Sequence, residues 1–198
     1  MRLIIMSTSR PNITIRLAKE KDIAAIVKFI NEVYAEVDKN AGPSISYRKE
    51  GETGARTTYS EILEKVASPS YGLFIAIDDP KNNQIIGTQC IKFLTPDEDQ
   101  SDPSELTLFA IHRNYRGKGL GDLLSTHVEA KIAKMNKKTE FYNVTKIHAE
   151  VVSEQKALIQ HYKTRGFLPT GKRTPFNSPK FSREVTLVEI SKTLRPGS

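Results

Sequence analysis

Residues 105–122 read Glu-Leu-Thr-Leu-Phe-Ala-Ile-His-Arg-Asn-Tyr-Arg-Gly-Lys-Gly-Leu-Gly-Asp, and the rest of the chain is organised around them. Leu106 to Ile111 is an apolar run of the length that suits a buried strand. From Leu120 the apolar residues Leu120, Leu123, Leu124, Val128, Ile132 and Met135 keep the three-and-four spacing of one helix face. Between strand and helix stand Gly117, Gly119 and Gly121. A glycine-rich entry lets another group approach the backbone closely, while the unpaired amides at a helix start point toward whatever lies there. The stretch therefore predicts an anion site, typically for phosphate.

The spacing selects among phosphate motifs. A P-loop requires Ser or Thr directly after its Gly-Lys, and Gly119 follows Lys118. A dinucleotide fingerprint starting at Gly117 would need glycine where Asp122 stands. The pattern that fits is Arg-x-x-Gly-x-Gly, at Arg116, Gly119 and Gly121. With the preceding strand, it resembles the pyrophosphate-binding motif of the GCN5-related N-acetyltransferase (GNAT) superfamily, which binds acetyl-CoA.

Composition is compatible with that resemblance. The chain has 198 residues, 38% hydrophobic and 27% charged, as expected of one globular domain with a real core. Its net charge of +7 suits a polyanionic partner. CoA qualifies as well as nucleic acid would, and the aromatic-interleaved basic stripe of a nucleic-acid surface is missing. Lys131, Lys134, Lys137 and Lys138 read as a solvated face near a helix end, where positive charge complements the dipole. Cys90 is the sole cysteine and reads as packing; the four histidines are scattered, so no metal site is expected. No apolar run reaches the length of a signal core or a membrane span. The expected location is cytoplasmic, with a nuclear one open.

Residues 1–11 read as a loose leader, 12–192 as one domain and 193–198 as a flexible tail. Asn12 to Leu17 alternates as a strand, and Ile23 to Val37 keeps helical spacing up to the Ala41-Gly42-Pro43 break. Residues 43–57 read as a polar loop. Thr58 and Glu61 form a capping box for a short helix. Leu73 to Ile77 and Ile85 to Phe93 read as strands joined by a turn, and residues 95–104 as an acidic loop. Lys146 to Val152 reads as a strand and Ser153 as the N-cap of a helix through Tyr162 that Gly166 ends. Phe167 begins a strand, Pro169 to Ser182 reads as a long loop, and Glu184 to Ile190 as the last strand. This element order is the one the superfamily shows. The resemblance thus covers nearly the whole chain and implies the GNAT fold, of the α/β (α+β) class: a mixed, mostly antiparallel seven-stranded sheet flanked by about four helices.

The resemblance also implies site residues. Family members commonly carry Asn-x-x-Ala-x-x-x-Tyr-x-x-x-Gly-Phe after the fifth strand. Here Tyr162, Gly166 and Phe167 match, while Gln155 stands for Asn and Leu158 for Ala. Tyr162 would protonate the departing thiolate, and Gln155 would keep an amide for the CoA arm. Glu105 matches the catalytic glutamate of the family's histone acetyltransferases, with Glu150 and His148 as lesser candidates. Backbone amides of Phe109, Ala110 and Ile111 would meet the oxyanion and pantetheine arm; Arg116, Gly117, Lys118, Gly119, Leu120 and Gly121 would hold the pyrophosphate. A base, direct or through water, or desolvation is needed because an amine with a pKa near 10.4 is free base to only about one part in a thousand at neutral pH, a penalty of roughly 4 kcal/mol.

The expected reaction is direct acetyl transfer from acetyl-CoA to a primary amine in a ternary complex. The resemblance implies that Arg48, Arg56, Lys172, Arg173, Lys180 and Arg183 lie in loops flanking the acceptor site, where they would favour a small, carboxylate-bearing amine. Peptide or protein amines, a non-catalytic acyl-CoA-binding module and, last, a nucleic-acid binder are the alternatives. Oligomeric state is open, a homodimer included.

Overall fold

The computed structural model describes residues 13–40, 55–78, 84–93, 104–138, 144–176 and 184–194. They form seven strands, β1 (Thr14–Leu17), β2 (Tyr71–Asp78), β3 (Gln84–Phe93), β4 (Ser104–Ile111), β5 (Lys146–Val152), β6 (Leu168–Phe176) and β7 (Val185–Thr193). Four α-helices accompany them: α1 (Ile23–Asn40), α2 (Tyr59–Ala67), α3 (Leu120–Lys138) and α4 (Lys156–Thr164). The strands make one sheet in the order β1-β2-β3-β4-β5-β7-β6. Every neighbouring pair is antiparallel except β4 and β5, which run parallel. The expected leader, the turn after β2 and the acidic loop up to residue 103 lie outside the described residues, as do most of the 43–57 loop and Arg48, Lys180 and Arg183; Ser104, expected in that loop, begins β4.

Helices cover both faces. On one, the α1 residues Ile23, Ile26 and Ile30 pack with Ile62 of α2 onto Leu73, Ile75, Cys90, Leu108 and Ala110. On the other, Leu120, Leu124, Val128 and Ile132 of α3 pack with Tyr162 and Phe167 onto Ile86, Ile91, Leu106, Ile111 and Ala149. The capping box at α2 forms as expected: Thr58 Oγ1 accepts from Glu61 N at 3.3 Å, and Glu61 Oε2 accepts from Thr58 N at 2.9 Å. Before α1, Asp22 is buried and takes both arms of the Arg16 guanidinium, at 2.6 and 2.9 Å, together with the Lys19 amide at 2.8 Å. This fork ties β1 to the start of the first helix.

Three local expectations need correction. Pro169 to Phe176, expected in a loop, belongs to β6 and pairs with β7 across an irregular register between Pro169 and Arg173. As the sheet's outermost strand, β6 tolerates prolines that cannot donate to a ladder, and its almost wholly exposed residues leave no apolar alternation to read. Ser153 does not cap α4. Gln155 occupies the N-cap, while the Ser153 hydroxyl donates to Glu154 Oε2 at 2.8 Å. Leu123 lies at the edge of the α3 apolar stripe and is 41% exposed, rather than facing the core.

Candidate active site

β4 is interrupted halfway. Thr88 pairs with Ala110 and Cys90 with Thr107, so the single residue Gln89 faces two residues, Leu108 and Phe109. The extra residue is a bulge. Leu108 takes φ +50°, a left-handed conformation that costs a side-chain-bearing residue about 1 kcal/mol, and its carbonyl accepts from buried Thr88 Oγ1 at 2.8 Å. The bulge resets the alternation. Leu106, Phe109 and Ile111 serve the α3 side, Leu108 and Ala110 the α1 side.

β5 follows β4 only at its start. Glu105 and His148 form a single register pair, and Ser104 Oγ donates to Lys146 O at 3.2 Å just before it. Beyond that point the parallel strands have no further register, and β5 pairs along its whole length with β7 instead. No β4–β5 pair follows Glu105 and His148 among the described residues, so Phe109 to Ile111 lie past the last rung, toward the carboxyl end of a parallel pair, where open sheets place their ligands.

Below the gap, the chain leaves β4 and turns into α3. Gly117 and Gly119 take φ +70° and +81°. The first bond of the helix runs from Leu123 N to Gly119 O at 3.0 Å, so the amides of Leu120, Gly121 and Asp122 have no acceptor within it. Gly121 serves a different purpose. A Cβ there would stand 3.0 Å from both Phe109 Cζ and His161 Cε1. Arg116 does not extend from this loop: its Nε donates to Ile111 O at 3.0 Å and its Nη2 lies 4.0 Å from Glu36 on α1. Lys118 rests over the Tyr115 ring, at 5.8 Å.

α4 closes the site from the α3 side. Its end is a Schellman motif: Phe167 N donates to Tyr162 O at 3.1 Å, Gly166 N donates to Lys163 O at 3.0 Å, and Gly166 has φ +84°. The hydrophobic contact that accompanies such a cap is Tyr162 on Phe167, edge to face at 5.0 Å. The Tyr-x-x-x-Gly-Phe signature thus has a local physical cause, independent of chemistry. Tyr162 is buried and also lies 6.0 Å from Phe109. Burial first, and Tyr34 second, raise its pKa, so the phenol keeps its proton where a free tyrosine would ionise. Gln155 makes no side-chain cap bond.

Two residues that the sequence reading did not select belong here. Tyr34 of α1 donates from its hydroxyl to the Phe109 carbonyl at 3.3 Å, packs beside Val152 and Val185, and carries the Arg56 guanidinium 5.0 Å above its ring. His161 stacks on Phe109 at 5.0 Å. Its Nδ1 is 3.8 Å from Asp122 Oδ1, but burial lowers its pKa, so at neutral pH the contact is not an ion pair. On the α1 side, burial raises the pKa of Glu105. Of the basic residues expected to favour a carboxylate, Lys172 is engaged by Glu189 at 3.0 Å. Among the described residues no group of three or more His, Cys, Asp or Glu could hold a metal, and no helix is long and apolar enough to cross a membrane.

The sequence model of the Acetyltransferase (GNAT) family matches residues 33–167, which run from α1 through the end of the α4 cap. The chain belongs to the GNAT acetyltransferase family. GNAT enzymes draw their acetyl group from acetyl-CoA, and the GNAT fold is also that of solved structures. These include yncA from Salmonella typhimurium, described with its cofactor acetyl-CoA (18% identity, TM-score 0.68, 94% of this chain and 96% of that one). A ribosomal-protein-alanine N-acetyltransferase from Brucella melitensis aligns at 19% identity and TM-score 0.65, over 91% of this chain and 99% of its own. An N-acetyltransferase from Staphylococcus aureus Mu50 aligns at 18% and 0.67, over 93% and 99%. At these identities the likeness is one of GNAT fold. No curated protein matches the chain by sequence.

Proposed function

We propose that this chain transfers an acetyl group from acetyl-CoA directly to a primary amine of a small molecule, within a ternary complex. One observation carries the reading: Phe109 to Ile111 have no β5 partner among the described residues, and the chain runs on from them into a helix start whose first amides are unpaired within the helix. The parted edge offers backbone groups to an extended arm, as an added strand would. The pyrophosphate would rest on the amides of Gly117 to Gly121, in the field of the α3 dipole. Arg116 supports that loop by bracing Ile111, and Lys118 adds positive charge beside it. Gln155 would offer its side-chain amide to the CoA arm.

In the reaction the amine nitrogen attacks the thioester carbonyl, the carbon–sulfur bond breaks and the thiolate departs. Glu105 takes the proton from the amine. Its raised pKa makes it a better proton acceptor than a solvated carboxylate, though still one that must be ionised to act. Amides of Phe109, Ala110 and Ile111 face the developing oxyanion. Tyr162 donates to the departing sulfur, whose pKa near 8.5 asks less help than the amine. A small acceptor suits the gap because Tyr34 already spans it between the Phe109 carbonyl and Val152.

A peptide amine is the second reading, since one structural neighbour is named as acting on ribosomal-protein alanine. The domain would begin at residue 12 and, rather than ending at 192, run through β7 to Leu194, whose amide donates to Thr145 O at 2.7 Å, in a cytoplasmic setting. Calorimetric titration with acetyl-CoA, followed by thiol release with small amines and with peptides, tests all of this. Saturable binding and turnover of small amines is the expected result. Absence of binding by folded protein would remove the proposal, and turnover of peptides alone would move the acceptor to the second reading.

A further inference from the structure

Three polar groups crowd one face where β4 and β5 still touch. Among the described residues, His148 Nδ1 and Thr107 Oγ1 are buried without a hydrogen bond of good geometry, the Cys90 thiol opposite Thr107 making only a weak contact with its hydroxyl, and the Glu105 carboxylate is acted on by burial and neighbouring charges, with no hydrogen bond among the causes. Glu105 and His148 are register partners on adjacent parallel strands, so their side chains leave the sheet on the same face. Thr107 is two residues beyond Glu105 and before the bulge, hence also on that face. A buried polar atom left unpaired costs about 1–3 kcal/mol. Two such atoms on the same face as the Glu105 carboxylate point to a shared polar guest, and a water with two to four partners meets the requirement.

We infer that His148 is the proton outlet of Glu105. This rests on the acetyl-transfer reading and on Glu105 as the base. The proton leaves the attacking amine for the Glu105 carboxylate. It then passes, through a water held by Thr107 Oγ1, to the His148 ring, and from this half-buried ring to solvent. Glu105 is left ionised for the next turnover, and no bond other than those to the proton changes. Acting through Glu105, His148 is a positioning residue.

Other charges around the pair are accounted for. Glu150 on β5 raises the Glu105 pKa, whereas Lys92 on β3 and Lys65 on α2 lower it, as does His148 itself. Across β7, Ser191 faces His148 in register, and Glu189 feels both His148 and its own partner Lys172.

The test compares the full chain with its Glu105→Gln, His148→Gln and His148→Ala variants. Thiol release from acetyl-CoA is measured across pH with the fastest acceptor from a panel of amino acids, alkylamines and polyamines. His148→Gln should leave acetyl-CoA affinity and acceptor KM within about twofold and lower kcat by about tenfold or more. It should also move the acid-side limb to higher pH, because Glu105 loses a neighbour that lowers its pKa. Added imidazole should restore turnover to His148→Ala. A His148→Gln profile that superimposes on that of the parent, or a loss in His148→Ala that imidazole leaves untouched, overturns the relay. An acid-side limb unchanged in Glu105→Gln removes the base and the relay with it, and no thiol release by the parent removes the acetyl-transfer reading itself.

Discussion

His161 stacks on Phe109 with the ring centroids 5.0 Å apart and the planes 21° from parallel, and Gly121 leaves the space in which the two rings meet. The three elements that converge there, β4, α3 and α4, bound the gap in the sheet. Gly121→Val should therefore force one of two aromatic rings aside, at about 1–3 kcal/mol of stability, and should weaken acetyl-CoA binding as the helix start shifts. Gly117→Ala has open space around it and pays only for its positive φ, about 1 kcal/mol. Denaturant melts and calorimetry on both variants check the contrast; equal losses in the two would contradict it.

Tyr162 supplies a ring to the α4 cap, and the acid role proposed for its hydroxyl would separate from that packing in one substitution. Tyr162→Phe keeps the edge-to-face contact with Phe167. Stability should change by less than about 1 kcal/mol while kcat falls by one to two orders of magnitude, roughly, with acetyl-CoA affinity retained. An unchanged kcat would assign Tyr162 to packing alone.

The Arg16–Asp22 fork makes stability depend on pH. Its guanidinium, hydrogen-bonded to both carboxylate oxygens, is the largest cause that lowers the Asp22 pKa, and burial opposes it. A depressed carboxylate stabilises the fold fully above its unfolded value, near pH 4, and loses that contribution as pH falls through the folded value. Asp22→Asn should cost about 2–4 kcal/mol at pH 7, and the difference from the parent should shrink below pH 4. A gap that stays constant from pH 7 to pH 3 would contradict the linkage.

Cys90 is fully buried, and burial pushes its thiol pKa up to about 12. Because the thiolate is the nucleophile, alkylating reagents should leave the native protein unmodified at pH 8 and label it stoichiometrically in denaturant. Mass spectrometry reads the outcome, and rapid native labelling would place the β3 interior closer to solvent than the packing allows.

Periodicity made much of the fold legible. α1, α2 and α3 each present one apolar face, and β5 coincides with its expected span because its inward residues Ile147, Ala149 and Val151 alternate. The Tyr162–Gly166–Phe167 cap was legible for the same kind of reason, being local. β6 was not, since an exposed edge strand with Pro169, Gly171 and Pro175 looks like a loop. The bulge left no mark either, because a leucine holds the left-handed position at 108 where a glycine would have announced it. Tyr34 and His161 were missed since their partners, Phe109 and Gly121, come from distant segments that only the folded sheet brings to them. The Arg116 motif was found, yet its side chain turns back to Ile111.

Joined at a single rung, β4 and β5 divide the sheet into two leaves, β1-β2-β3-β4 and β5-β7-β6. A molecule lying in the cleft would act as mortar between them, supplying backbone rungs that the chain does not make for itself. Cohesion of the protein is then linked to its substrate pool: a donor at a hundred times its Kd adds about 2.7 kcal/mol to the folded state. In a cell the abundance of this enzyme would accordingly follow the supply of the acyl donor.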